Sequence, residues 1–223
     1  ENTAGSGGGG MNLFYSNPTL TNVTISGNTA TTGMGGGMGL EDSDPTLINV
    51  TISGNTAGWS AGGIFLGNST NPTLINLIIW NNIPNSIDHW PEYNEEPIIA
   101  YSDIEGGWEG EGNIDADPLF TDPENGNFSL HEGSPCIDAG IADLDGDGED
   151  DIEYLGAAPD MGAFEYGAVY GCTDPEAINF DPEANMDDGS CEYSSASEIS
   201  VSYNTGWNIV GLPLYVEDAS PGT

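Results

Sequence analysis

The sequence predicts an all-β fold, a parallel solenoid built from coils of 27 residues, and three observations predict it. The first is a repeat. Asn17-Pro-Thr-Leu-Thr-Asn-Val-Thr-Ile-Ser-Gly-Asn-Thr-Ala30 returns as Asp44-Pro-Thr-Leu-Ile-Asn-Val-Thr-Ile-Ser-Gly-Asn-Thr-Ala57 and again from Asn71-Pro-Thr-Leu-Ile-Asn-Leu-Ile-Ile-Trp to Asn82. Pro18, Pro45 and Pro72 stand 27 residues apart, and Asn2-Thr-Ala4 reads as the tail of an earlier copy. The second is composition within each copy: short β-branched runs broken by Gly, Asn and Pro, the signature of strands and tight turns. The third is the period itself. Two or three short strands in 27 residues make one coil of a stacked parallel sheet, each coil burying its apolar edge only against its neighbours.

Within a coil, alternation turns Leu20, Val23 and Ile25 inward, with a corner between Leu20 and Val23. Asn22, Asn49 and Asn76 then stack at that corner, where Asn suits both the backbone turn and hydrogen bonding along the axis. Asn28, Asn55 and Asn82 form a candidate second ladder. Between copies lie Gly-rich pieces and a further apolar run, Met11/Leu13, Met38/Leu40 and Ile64/Leu66, and a looser copy follows at 97–104. Four coils spaced by about 4.8 Å would stand roughly 20 Å tall.

The charge is extreme. The 223 residues include 37 acids, two histidines and no lysine or arginine. Ordinary usage would supply about 25 basic side chains. Without them there is no Lys/Arg salt bridge, no lysine Schiff base and no guanidinium clamp. Nucleic acid and anionic membrane are excluded as partners, since both demand basic patches. Cations, whether metal ions or a basic protein surface, are the partners such a field attracts. The acid is not evenly spread: residues 1–100 hold 8 and residues 101–223 hold 29. There Asp143, Asp145, Asp147 and Asp151 occupy relative positions 1, 3, 5 and 9, with Gly148 at position 6, as in the first part of an EF-hand calcium loop. Position 12 is Tyr154 rather than a bidentate Glu, so the full loop is not matched. No apolar window is long enough for a membrane helix, and no signal-peptide pattern is visible.

The 27-residue units resemble the right-handed parallel β-helix repeats of secreted bacterial surface proteins. Gly112-Asn-Ile-Asp-Ala-Asp-Pro-Leu-Phe-Thr-Asp122, Gly133-Ser-Pro-Cys-Ile-Asp-Ala-Gly140 and Asp160-Met-Gly-Ala-Phe-Glu-Tyr166 are similar to the motifs that close such domains. The resemblance covers 1–167 and implies a secreted or cell-surface setting. That group includes adhesins, uncharacterised surface proteins and some polysaccharide-acting enzymes. Residues 168–193 form a second unit. Within it, Gly171-Cys-Thr-Asp-Pro through Asp-Asp-Gly-Ser-Cys191 resembles a short repeat of extracellular multidomain proteins. The resemblance implies a Cys172–Cys191 disulfide, which would contribute roughly 3 kcal/mol by closing a loop of about 20 residues. The repeat often carries another Cys where this chain has Ile178, and Cys136 is expected to be a buried thiol at the end of the solenoid. Asp174, Asp181, Asp187 and Asp188 suit calcium ligation and plain turn chemistry equally. A linker at 194–198 leads to 199–223, which resembles the opening strands of a β-rich domain. The chain thus reads as a fragment, or as a matured subunit whose open coil edge stacks end to end on another copy.

No catalytic motif is found. β-Helix lyases use a lysine or arginine that this chain lacks, and His89 and His131 stand in unrelated contexts. Trp80 takes the outward slot of Ser26 and Ser53, and Trp90 and Trp108 follow on later turns. Exposed, these three would form a carbohydrate surface; otherwise the long loops around 83–112 cover Trp80. The expected function is a structural or adhesive, calcium-binding segment without catalysis. The alternative is a carbohydrate-binding or polysaccharide-hydrolysing module.

Overall fold

A computed structural model describes residues 1–90 and 97–194. Most of the 194–198 linker and the whole of 199–223 lie outside them. The repeat is a parallel β-solenoid of about four coils. Its strands stack into parallel sheets running along the axis. Thr3–Ala4, Thr29–Ala30 and Thr56–Ala57 make a short first sheet. Met11–Phe14, Met38–Glu41, Ile64–Leu66 and Ile87–His89 make the second. Thr19–Thr21, Thr46–Ile48, Thr73–Ile75 and Ile98–Ala100 make the third. Thr24–Ser26, Thr51–Ser53, Ile78–Trp80 and Asp103–Ile104 make the fourth. The looser copy at 97–104 is therefore a true coil, and Ile87–His89 belongs to the same stack.

Register is set by identical residues lying over one another: Leu20, Leu47, Leu74 and Ile99 in one column, Ile25, Ile52, Ile79 and Ile104 in another. These columns, with Val50, Leu77, Met38, Leu40, Ile64 and Leu66, fill the interior. A slip of one residue would turn each apolar column outward, so the register is strongly specified. Asn22, Asn49 and Asn76 stand at the corner with φ of 55°, 52° and 57°, the left-handed conformation that Asn tolerates best among side-chain-bearing residues.

The continuous amide ladder is the other one. Asn2 Nδ2 donates to Asn28 Oδ1 at 3.1 Å, Asn28 Nδ2 to Asn55 Oδ1 at 3.0 Å, and Asn55 Nδ2 to Asn82 Oδ1 at 3.0 Å. Each Oδ1 also accepts the backbone N–H of the preceding asparagine. Asn55 and Asn82 additionally donate to the buried carbonyls of Ile25 and Ile52. Asn28, Asn55 and Asn82 are buried, and this network is what makes their burial tolerable.

The closing region does not simply extend the stack. After a short bridge of Ile114 to Asp103, an antiparallel hairpin of Phe120–Asp122 and Asn127–Leu130 leads into a chain that folds back along the outside of the fourth sheet. The outward column of that sheet runs Thr51, Ile78, Asp103, and all three are buried. Ile78, Leu130, Cys136 and Met161 form a second apolar cluster there. Two points fasten it. Asn76 donates to the Ile141 carbonyl at 2.8 Å and to Asn49 Oδ1 at 3.0 Å, while its own Oδ1 accepts the Ile141 N–H at 2.9 Å. Thr51 Oγ1 accepts the Ala163 N–H at 3.0 Å. Gly162 makes that approach possible: a Cβ there would lie 2.8 Å from both Ile78 Cδ1 and Thr51 Oγ1.

Residues 168–193 form a small unit with one parallel pair, Tyr170–Gly171 against Met186–Asp187, and the Cys172–Cys191 disulfide. Ile178, at the position where the resembling repeat often has Cys, is exposed. Cys136 is free and buried beneath the closing region.

Asn55→Ala should destabilise the stack by about 2–4 kcal/mol in urea unfolding, because several buried groups lose partners together. Asn22→Ala, at an exposed corner, should cost well under half of that. Equal losses would show that the buried ladder has no special weight.

Candidate functional site

The acidic loop holds the densest carboxylate grouping among the described residues. Ligand oxygens of Asp143, Asp145 and Asp151 all lie within 4.8 Å of one another. The local backbone explains how. Asp143 accepts N–H groups from Gly146 at 2.7 Å, Asp147 at 3.1 Å and Gly148 at 2.9 Å, wrapping the loop around its own carboxylate. Gly146 and Gly148 take φ of 79° and 92°, which side-chain-bearing residues rarely adopt. Asp151 accepts the Leu144 N–H at 2.7 Å, and its own N–H donates to the Ala142 carbonyl at 2.9 Å, which brings the far end of the loop home. Asp147 stands outside this group of three; its carboxylate accepts the Glu149 N–H at 2.9 Å. Tyr154, at position 12, donates its hydroxyl to Asp150. Three close hard oxygens with no lysine or arginine in the chain could hold a metal ion.

Asp174, Asp181, Asp187 and Asp188 do not converge. Each accepts a backbone N–H two residues along: Glu176, Glu183, Gly189 and Ser190 respectively. Asp174 also accepts the Tyr193 hydroxyl at 2.7 Å, tying the end of the module to its start. Each therefore forms a local turn of the kind Asp favours.

A second set of acids lies inside the closing region. Asp103 is fully buried, accepts the Ala116 N–H at 3.1 Å, and receives the Cys136 thiol at 3.2 Å. Burial drives its carboxyl up to about 6, and burial with the Asp103 charge pushes the Cys136 thiol far above the usual range. Asp160 accepts the Asp138 and Tyr166 N–H groups, and burial raises it too. Glu165 accepts the N–H groups of Asp160 at 2.9 Å and Leu155 at 3.1 Å, and burial raises it to about 7. Asp103 and Asp160 are buried, and Glu165 lines a small recess with Tyr170.

The three expected tryptophans do not share a surface. Trp80 is half-buried, packed on the second cluster beneath the closing region rather than beneath 83–112. Trp108 packs on the main core and meets His89 edge-on, ring centroids 5.8 Å apart. Trp90 alone stays at the surface, edge-on to Phe65 at 5.2 Å. Sequence reading passed over Trp59, which is 73% exposed at the tip of a Gly-flanked turn. The signal was there: Trp59 interrupts a stretch of small residues where no core position is due.

The raised carboxyls set a pH dependence. Their folded-state values exceed the unfolded ones. The stability tied to their neutral forms is therefore complete below the ordinary carboxylate range, and is lost as pH rises through about 6 for Asp103 and about 7 for Glu165. In chelator, the melting temperature should thus climb as pH is lowered from 8 to 5, and Glu165→Gln should flatten the upper part of that rise. A melting temperature that falls over the same interval would refute the assignment.

Comparison with family models, with curated proteins and with solved structures finds no match.

Proposed function

We propose that the chain is a structural or adhesive segment of a secreted, cell-surface β-helix protein, with its acidic closing loop fastened by calcium and with no catalytic role. One observation carries the reading: Asp143, Asp145 and Asp151 are drawn together by backbone hydrogen bonds that aim their carboxylates at one another, in a chain that offers no lysine or arginine to separate them. Held so close, three negative charges repel, and a divalent cation relieves that repulsion where no side chain can. The position of the loop gives the ion structural leverage. Asp143 follows directly on Ile141 and Ala142, which are held to Asn76 and to Asp151. An ordered loop therefore keeps the closing chain seated on the solenoid. The near-neutral, repetitive stack fits a scaffold role, and the resemblance to surface β-helix repeats supports the secreted setting. The disulfide fits the same setting, since such bonds persist in oxidising compartments.

Calcium at about a hundredfold excess over its Kd should stabilise by about 2.7 kcal/mol, a rise of roughly 5–10 °C for a domain of this size. Asp143→Ala should abolish that increment, and Asp174→Asn should leave it intact. Identical melting curves in calcium and in EDTA would remove calcium from the proposal. In reducing agent the 168–193 unit should lose its structure at a temperature where the stack still melts normally; a stack that melts with it would show that the two are one cooperative unit.

A further inference from the structure

We infer that the outer face of the second sheet carries a binding site for an uncharged sugar, with Trp59 as its stacking platform. The outward column of that sheet reads Asn12, Gly39, Phe65, Asp88 in register. Three coils place a side chain there and one does not. Gly39 is required there by close approach: a Cβ would lie 2.8 Å from Asn12 Oδ1 and 2.9 Å from the Gly8 nitrogen, so the Asn12 side chain and the Gly8 backbone sit directly against it and form the floor of this face. The walls come from the neighbouring columns. Trp59 rises on one side, its N–H donating to the Gly33 carbonyl at 3.1 Å. The next residue anchors the same turn, since the Ser60 hydroxyl donates to the Asp88 carboxylate. Trp90 rises on the other side, braced edge-on by Phe65. The resulting cleft has a volume of about 310 Å³, at the small end of the range for ligand sites.

The chemistry of the lining selects the occupant. An indole 73% exposed on an anchored turn offers a flat apolar face at little entropic cost, and that face suits the C–H face of a sugar ring. The rim supplies hydrogen-bonding capacity without positive charge. Asn12 uses its Oδ1 for the Gly8 N–H and keeps an NH₂ to donate. Thr32 donates to the Gly5 carbonyl at 2.6 Å and keeps lone pairs to accept. Glu41 is the one carboxylate of the lining. With it present and no basic residue in the chain, an anionic sugar is repelled. A simple cation would use Glu41 and the indole and leave the amide and hydroxyl idle. Hydroxyls around an apolar ring face match the whole set. The site is independent of calcium: it needs no residue of the acidic loop, so loss of either reading leaves the other standing.

The test uses the whole 223-residue chain with cellohexaose, xylohexaose and chitohexaose as neutral probes and polygalacturonate as the anionic one, titrated by calorimetry. At least one neutral hexasaccharide should bind, polygalacturonate should not, and Trp59→Ala should weaken binding by about tenfold or more. Trp59→Phe should retain most of the affinity, and its unchanged melting curve separates lost stacking from lost folding. Trp80→Phe should have no effect. Silence with all three neutral probes at millimolar concentration overturns the proposal, as does binding indifferent to Trp59. Trp59-dependent binding of tetramethylammonium without sugar binding would make the cleft a cation site. A dimer that dissociates on Trp59→Ala would make it a contact between copies.

Discussion

A buried primary amide is tolerable only if its polar atoms find partners, and Asn28, Asn55 and Asn82 find theirs in the neighbouring coils, with the exposed Asn2 as the first rung. The requirement is self-propagating. An Asn one residue out of place would strand two amides, its own and its neighbour's. It therefore holds the coils to one registration along the axis, and the rest follows from that. Columns of like apolar residues meet inside, the parallel sheets pair without slippage, and the corner asparagines fall above one another. Apolar burial supplies the larger free energy and already penalises a one-residue slip; the ladder adds the loss of its amide hydrogen bonds to the same penalty.

The acids after residue 100 answer a related demand. The stack satisfies its backbone through strand pairing, whereas the closing region has little regular structure and leaves many N–H groups without strand partners. Carboxylates take them: Asp138 from Ala157, Asp143 from three residues of its loop, Asp160 and Glu165 from two each. A carboxylate accepts more hydrogen bonds than any other side chain, so an irregular, acid-rich chain can still be well ordered. The cost is burial together with mutual repulsion: burial, with smaller contributions from neighbouring acids, raises the proton affinity of Asp103 and Glu165, and in the proposed function an ion relieves the repulsion at the Asp143 loop.

Much of this was legible in the sequence, and the misreadings have physical causes. The repeat exposed the fold because each coil obeys the same packing rule. Both asparagine columns were visible, yet the continuous ladder is the second candidate rather than the first, since sequence spacing shows stacking but not burial. Trp80 stands in an outward column, and its cover was expected from the loops around 83–112; it arrives instead from residues 114–161, farther along the chain. Asp147 fits a calcium-loop spacing, and spacing alone could not show that its carboxylate accepts the Glu149 N–H while Asp143, Asp145 and Asp151 lie together. Gly39 marks a close approach only once the register makes Asn12 its neighbour.

The attachment of the closing region to Asn76 and Thr51 also decides how the molecule carries force. Solenoid coils joined only end to end peel away singly when pulled along the axis, each rupture loading the next. Here tension entering from the module beyond residue 167 does not reach the last coil first. It passes through Ala163 and Ile141 into the second and third coils, where the grip is sideways and several bonds share the load. The later coils sit in a closed loop, shielded from the pull. A stack fastened in this way yields at the clamp before its later coils are loaded.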